Sequence, residues 1–85
     1  MLARKKDRKI FLEQVMERQL VSSSNLRSVG YDRDSSVLEI QFQTGSVYQY
    51  LGLPESVYLA LIAAASKGSF FNSNIKGEFP YRQVG

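Results

Sequence analysis

In VLEIQFQTGSVYQYL, residues 37–51, two runs of alternating side chains flank a Thr-Gly pair. In the first run Leu38, Ile40 and Phe42 share one side and Glu39 and Gln41 the other, the period of a strand with one wet face. The second run, Ser46 to Leu51, carries Tyr48 and Tyr50 two positions apart. A two-residue loop at Thr44 and Gly45 pairs Gln43 with Ser46 and sets both tyrosines beside Gln41 and Glu39, as an exposed aromatic pair. A three-residue loop over 43–45 pairs Phe42 with Ser46, Ile40 with Tyr48 and Leu38 with Tyr50, and turns both rings to the apolar face. A one-residue slip reverses every side chain, so the two registers exclude each other. The three-residue loop is favoured: it puts glycine where a positive φ is needed and lets Gln49 meet Glu39 on the wet side.

Working outward, Leu26 to Tyr31 reads as a preceding strand with Val29 and Tyr31 on one face, closed by the turn-rich run Asp32 to Ser36. Pro54 suits a first helical position, Glu55 favours the positive end of the helix, and Lys67 and Gly68 close it, predicting a helix over about 54–66. Val57, Tyr58, Leu61, Ile62 and Ala65 form its apolar face, which should cover Leu38, Ile40 and Phe42. The run SKGSFFNSNIKGEFPY, residues 66–81, mixes aromatics with Ser, Asn and Lys. It is expected to be irregular, with Ser73 capping a short turn and a final short strand near 79–84.

Ahead of all this, Ile10, Phe11, Leu12, Val15, Met16 and Leu20 recur at three- and four-residue spacings from about Lys6 to Leu20, predicting a one-sided basic helix that docks on its own domain or a second copy. The same pattern also suits a phosphate backbone or an anionic membrane. The reading is therefore a basic amphipathic helical arm over 1–21 and a domain over 22–85. The fold class is α+β: a small antiparallel β-meander of three to four strands packed on one α-helix, preceded by the N-terminal helix.

Composition limits the chemistry. The chain has 85 residues, 44% hydrophobic and 22% charged, with no cysteine and no histidine. Disulfides, thiolate metal sites and the commonest general base are excluded. The net charge of +3 lies wholly in residues 1–20, where six basic side chains face three acidic ones, and residues 21–85 balance five against five. No apolar run is long enough for a signal sequence or a membrane span, so a cytoplasmic protein is expected. Asp32 and Asp34 sit in a turn where Asp is common, and Lys67-Gly68 and Lys76-Gly77 lack the spacing of a phosphate loop. No catalytic set, metal site or cofactor is expected.

SSNLRSVGYD, LEIQFQTGSVYQY, LPESVYLALIAAASKGSFFNSNIKG and FPY, in that order, resemble the KTSC domain, a module named for the C-terminus of some lysyl-tRNA synthetases and also found as a stand-alone bacterial protein. The resemblance covers about residues 21–83 and centres on Tyr48 and Tyr50, followed by Pro54, Tyr58 and the series Ser66, Gly68, Phe71, Asn72, Ile75. Tyr48, Tyr50, Pro54, Tyr58 and Gly68 are expected to be structural. The residues are read as a non-enzymatic binding module of unestablished role, and the resemblance suggests RNA or another nucleic acid as its ligand. Lys67, Phe71, Asn72, Asn74, Lys76 and Arg82 supply the cations, rings and amides that single-strand binders use, and Lys5, Lys6 and Lys9 add charge from the arm. The alternative is a protein-protein assembly module that forms a homo-oligomer through the N-terminal helix.

Overall fold

The computed structural model describes residues 16–85. The elements are β1 (Gln19–Leu20), β2 (Leu26–Asp32), β3 (Val37–Phe42), β4 (Val47–Leu51), α1 (Glu55–Ala63), α2 (Lys67–Asn74) and β5 (Tyr81–Gln83). The five strands form one antiparallel sheet in sequential order, and both helices fall between β4 and β5.

The turn between β3 and β4 takes the three-residue form. Ile40 pairs with Tyr48 and Leu38 with Tyr50. The Phe42 N–H donates to the Ser46 carbonyl at 2.9 Å, the Gly45 N–H donates to the Phe42 carbonyl at 2.8 Å, and Gly45 has φ 99°. Only glycine adopts that angle without strain. On the other side of β3, Asp32 organises the turn by accepting from the Asp34 N–H at 3.2 Å and the Ser35 hydroxyl at 2.7 Å.

One face of the sheet and both helices share a core of Leu26, Val29, Leu38, Ile40, Tyr50, Leu53, Leu61, Phe71 and Ile75. α1 contributes Leu61 fully, with Val57, Tyr58 and Ile62 packed around it. Tyr58 stacks on Tyr31 at 4.9 Å, and the Tyr31 hydroxyl donates to the Leu53 carbonyl at 2.6 Å.

Several expectations need correction. The sheet has five strands, not three or four, and two helices cover it, not one. α1 begins after Pro54, which stands at the N-cap, and stops at Ala63. The Ser66 side chain then accepts from the Ser69 N–H and starts α2, so Lys67 opens a second helix and Ser73 lies inside it. The rings of Tyr48 and Tyr50 do face inward, but the aromatic partner waiting for Tyr50 is Phe71 of α2, with centroids 5.5 Å apart. Finally, residues 16–18 have no regular structure and Gln19–Leu20 is a strand, so the predicted helix does not extend through 16–20; its part in residues 1–15 lies outside the described residues. The strand forms because the outer edge of β2 is free: Gln19 pairs with Val29 and Leu20 with Ser28.

The second face of the sheet is polar but not wet. Glu39 and Gln49 are each only 7% exposed. Residues 16–18 cross above β2, so close that a Cβ on Gly30 would collide with the Glu17 carbonyl oxygen and meet Arg18 Cγ at 3.0 Å. Glycine at position 30 is what permits the crossing. Beneath it runs a polar chain across the sheet: Arg18 Nη1 lies 3.1 Å from Glu39 Oε2, Gln49 Nε2 donates to Glu39 Oε1 at 2.8 Å, and Arg82 Nε donates to Gln49 Oε1 at 2.8 Å.

Candidate functional site

The inner face is closed at its centre and open at its far side. Tyr48 and Tyr50 lie next to Tyr81 of the last strand, with centroid separations of 5.7 and 5.9 Å, and Tyr48 also meets the edge of Phe42 at 5.7 Å. Tyr50 is 5% exposed, Tyr48 half-buried and Tyr81 62% exposed, so the rings grade from core to solvent within three neighbours. Burial first, then Tyr48 and Tyr81, pushes the Tyr50 hydroxyl up to about 12. The register explains the grouping: Tyr50 pairs with Tyr81 and Tyr48 with Gln83, so β5 carries Tyr81 to the face that the Tyr-x-Tyr pair already occupies.

A second feature is a polar groove of about 370 Å³ at the N-terminal turn of α2, lined by Ser22, Ser24, Asn25, Lys67, Ser69 and Asn72 among others. Gly68 faces Asn25 and Ser23 across it. The groove offers hydroxyls and amides in quantity. Its cation is committed elsewhere: Lys67 Nζ donates to the Ala64 carbonyl at 3.1 Å, over the end of α1 where a positive charge is favoured.

Of the side chains nominated from sequence, the groove gathers Lys67 and Asn72. Phe71 is buried between Phe42 and Tyr50 and serves packing. Asn74 donates to the Phe70 carbonyl at 3.2 Å, and Lys76 is exposed beyond the helix. Arg82 is on the opposite face of the sheet, bonded to Gln49, and does not join the groove. Lys5, Lys6 and Lys9 lie outside the described residues. Of the structural set, Tyr50 is in the core, Tyr58 flanks it and Pro54 caps α1. Tyr81 was missed: at the sequence level FPY gave no register, and only its pairing with Tyr50 reveals the aromatic edge.

Among the described residues no cluster of three or more carboxylates, histidines or cysteines suits a metal ion, and no helix is long and apolar enough to cross a membrane.

Comparison with known proteins adds four relations. The family model of the KTSC domain matches residues 22–79. A crystal structure of a KTSC domain protein from Yersinia pestis superposes with a TM-score of 0.80 at 51% identity, covering 84% of this chain and 100% of that one. An uncharacterized protein of Stutzerimonas stutzeri is 43% identical over 61 residues, 72% of this chain and 86% of its own length. A lysine–tRNA ligase of Nostoc punctiforme is 41% identical over 61 residues, which is 72% of this chain but only 11% of the ligase.

Proposed function

Since the chain belongs to the KTSC domain family, whose sequence also recurs as a small part of lysine–tRNA ligases, we propose that it is a non-enzymatic module that binds single-stranded or looped RNA. The observation that carries the proposal is the open aromatic edge of Tyr48 and Tyr81. Every base has a π-face, and stacking on such rings contributes about 1–3 kcal/mol per base without requiring a particular sequence. The groove at α2 adds hydrogen-bonding groups of the kind that meet sugar hydroxyls and base edges.

The charge distribution sets the expected character of the binding. Residues 16–85 contain six basic and six acidic side chains. Arg18 and Arg33 are in ion pairs with Glu39 and Glu55. The domain therefore relies on stacking, and a strong salt dependence would come from Lys5, Lys6 and Lys9. Each phosphate contact to a single strand contributes a slope of about 0.7 in log affinity against log salt. The absence of histidine and cysteine is the reason for reading the module as a binder and not a catalyst.

The test is fluorescence titration of labelled single-stranded RNA, transfer RNA and duplex DNA at two salt concentrations. The proposal expects single-stranded or looped RNA to bind more tightly than duplex DNA at both salts. Equal or absent binding of all three at low salt would overturn it.

A further inference from the structure

Residues 16–21 are attached to the sheet as a separable strap. Gln19 and Leu20 pair with Val29 and Ser28, the Val21 N–H donates to the Arg27 carbonyl at 3.1 Å, and Arg18 meets Glu39. These polar contacts, with Val21 packed half-buried against the core, join the strap to the body. The link behind it is Ser22–Ser24, which belongs to no helix or strand. It ends where the Ser23 hydroxyl accepts from the Asn25 and Leu26 N–H groups, both at 3.1 Å, and anchors the start of β2.

The receiving surface is built for an extended chain with an arginine. Gly30 leaves room for a crossing backbone that any other residue would block. Glu39 is buried on the polar face and fixed from one side by Gln49, which is itself fixed by Arg82, leaving its Oε2 for an incoming cation. Arg18 Nη1 is buried there without an aligned hydrogen bond, so charge holds it and not tight geometry. At the other end of the strap the Leu20 side chain points to solvent, 78% exposed, while its backbone pairs with Ser28. Gly30, Glu39 and Gln49 all fall inside the family match over 22–79, whereas the strap precedes it.

We propose that this surface also accepts residues 16–21 of a second copy, giving a dimer in which two straps are exchanged. The exchanged state remakes the Arg18–Glu39 pair, the strand register and the crossing over Gly30 between copies, so little is lost in contacts and the balance is set by protein concentration. The inference is independent of RNA binding.

Complementary charge variants test it in the full chain. Arg18→Glu and Glu39→Arg each place like charges together within one copy and within a like pair. Mixed, they restore opposite charges at both sites only if each strap reaches the other copy's sheet. The proposal expects a one-to-one heterodimer of doubled mass by light scattering and native mass spectrometry; a mixture that stays monomeric at every concentration overturns it. Should either charge variant fail to fold, the double variant Leu20→Cys with Ser28→Cys decides, because these are register partners in a chain with no cysteine of its own. Oxidation is expected to give a disulfide-linked dimer whose fraction rises with concentration, and exclusively intrachain-linked monomers would overturn the exchange.

Discussion

The two faces of the sheet are buried to nearly the same degree by different means. Tyr50 is 5% exposed on the inner face and Glu39 and Gln49 are 7% exposed on the outer one. On the inner face the cover is two helices and an apolar core, which is non-directional and gains stability with area removed from water. On the outer face it is the strap and a polar chain from Arg18 to Arg82, in which Glu39 and Gln49 are desolvated and must be paired. Both faces open to solvent at β5, the inner one through the rings of Tyr48 and Tyr81 and the outer one through Arg82. The outer margin's Arg82 is engaged by Gln49 while the inner margin leaves ring faces open, which is why the proposed ligand is placed at the tyrosine edge.

The largest effect should come from the inner core. Phe71→Ala removes the ring between Phe42 and Tyr50, and a loss of about 3–5 kcal/mol in denaturant unfolding is expected. For a domain this small, whose total stability is on the order of 5–15 kcal/mol, that change brings the chain close to unfolding. If Phe71→Ala were instead nearly neutral, α2 would not be part of the core.

An intermediate effect is expected from the outer face. Gly30→Ala places a methyl group against the Glu17 carbonyl, so the strap must move, at a cost of about 1–3 kcal/mol. Hydrogen exchange should then accelerate at the amides of Gln19 and Val29 and leave those of Ile40 unchanged. Acceleration throughout β3 would show that the two faces are not closed independently.

Alkaline pH separates the faces in another way. Tyr50 titrates near 12 in the folded chain against 10.0 in the unfolded one, so the unfolded state gives up its proton first as pH rises. The stability due to Tyr50 is whole below about pH 10 and is lost progressively between about 10 and 12. Tyr50→Phe should flatten that part of the stability profile measured by denaturation at several pH values. An unchanged decline would assign it to other groups.

The smallest effect on stability belongs to Tyr81→Ala, within about 0.5 kcal/mol, because the ring is mostly solvent-exposed. Affinity for single-stranded RNA should nevertheless fall about fivefold or more, the loss of one stacked base. Full affinity in this variant would remove the tyrosine edge from the binding account.

What could be read from sequence divides along the same line. Gly45 marked the turn that sets the register of β3 and β4, and with it the inward direction of Tyr48 and Tyr50. Pro54 and Glu55 marked the start of α1 because local chemistry specifies helix beginnings. α2 was hidden because its Gly, Ser and Asn residues are poor helix formers; burial of Phe71 and the Ser66 cap stabilise it, and both depend on tertiary context. The dryness of Glu39 and Gln49 was hidden for a related reason. Alternation reports which side chains are polar, and only the crossing strap above Gly30 excludes water from them. Residues 16–20 carried a helical spacing through Met16 and Leu20, but the free edge of β2 supplies backbone partners that favour an extended chain. In the candidate site, Lys67 and Asn72 were legible as polar residues beside a helix, whereas Tyr81 gained meaning only through its pairing across from Tyr50.

The most direct measurement is chemical-shift mapping of the full chain on titration with single-stranded RNA. Shifts should concentrate at Tyr48, Tyr81 and their neighbours, extend into the groove at Ser69 and Asn72, and leave Ser28, Gly30 and Glu39 unmoved. Shifts centred on the outer face, or none at saturating RNA, would contradict binding at the tyrosine edge.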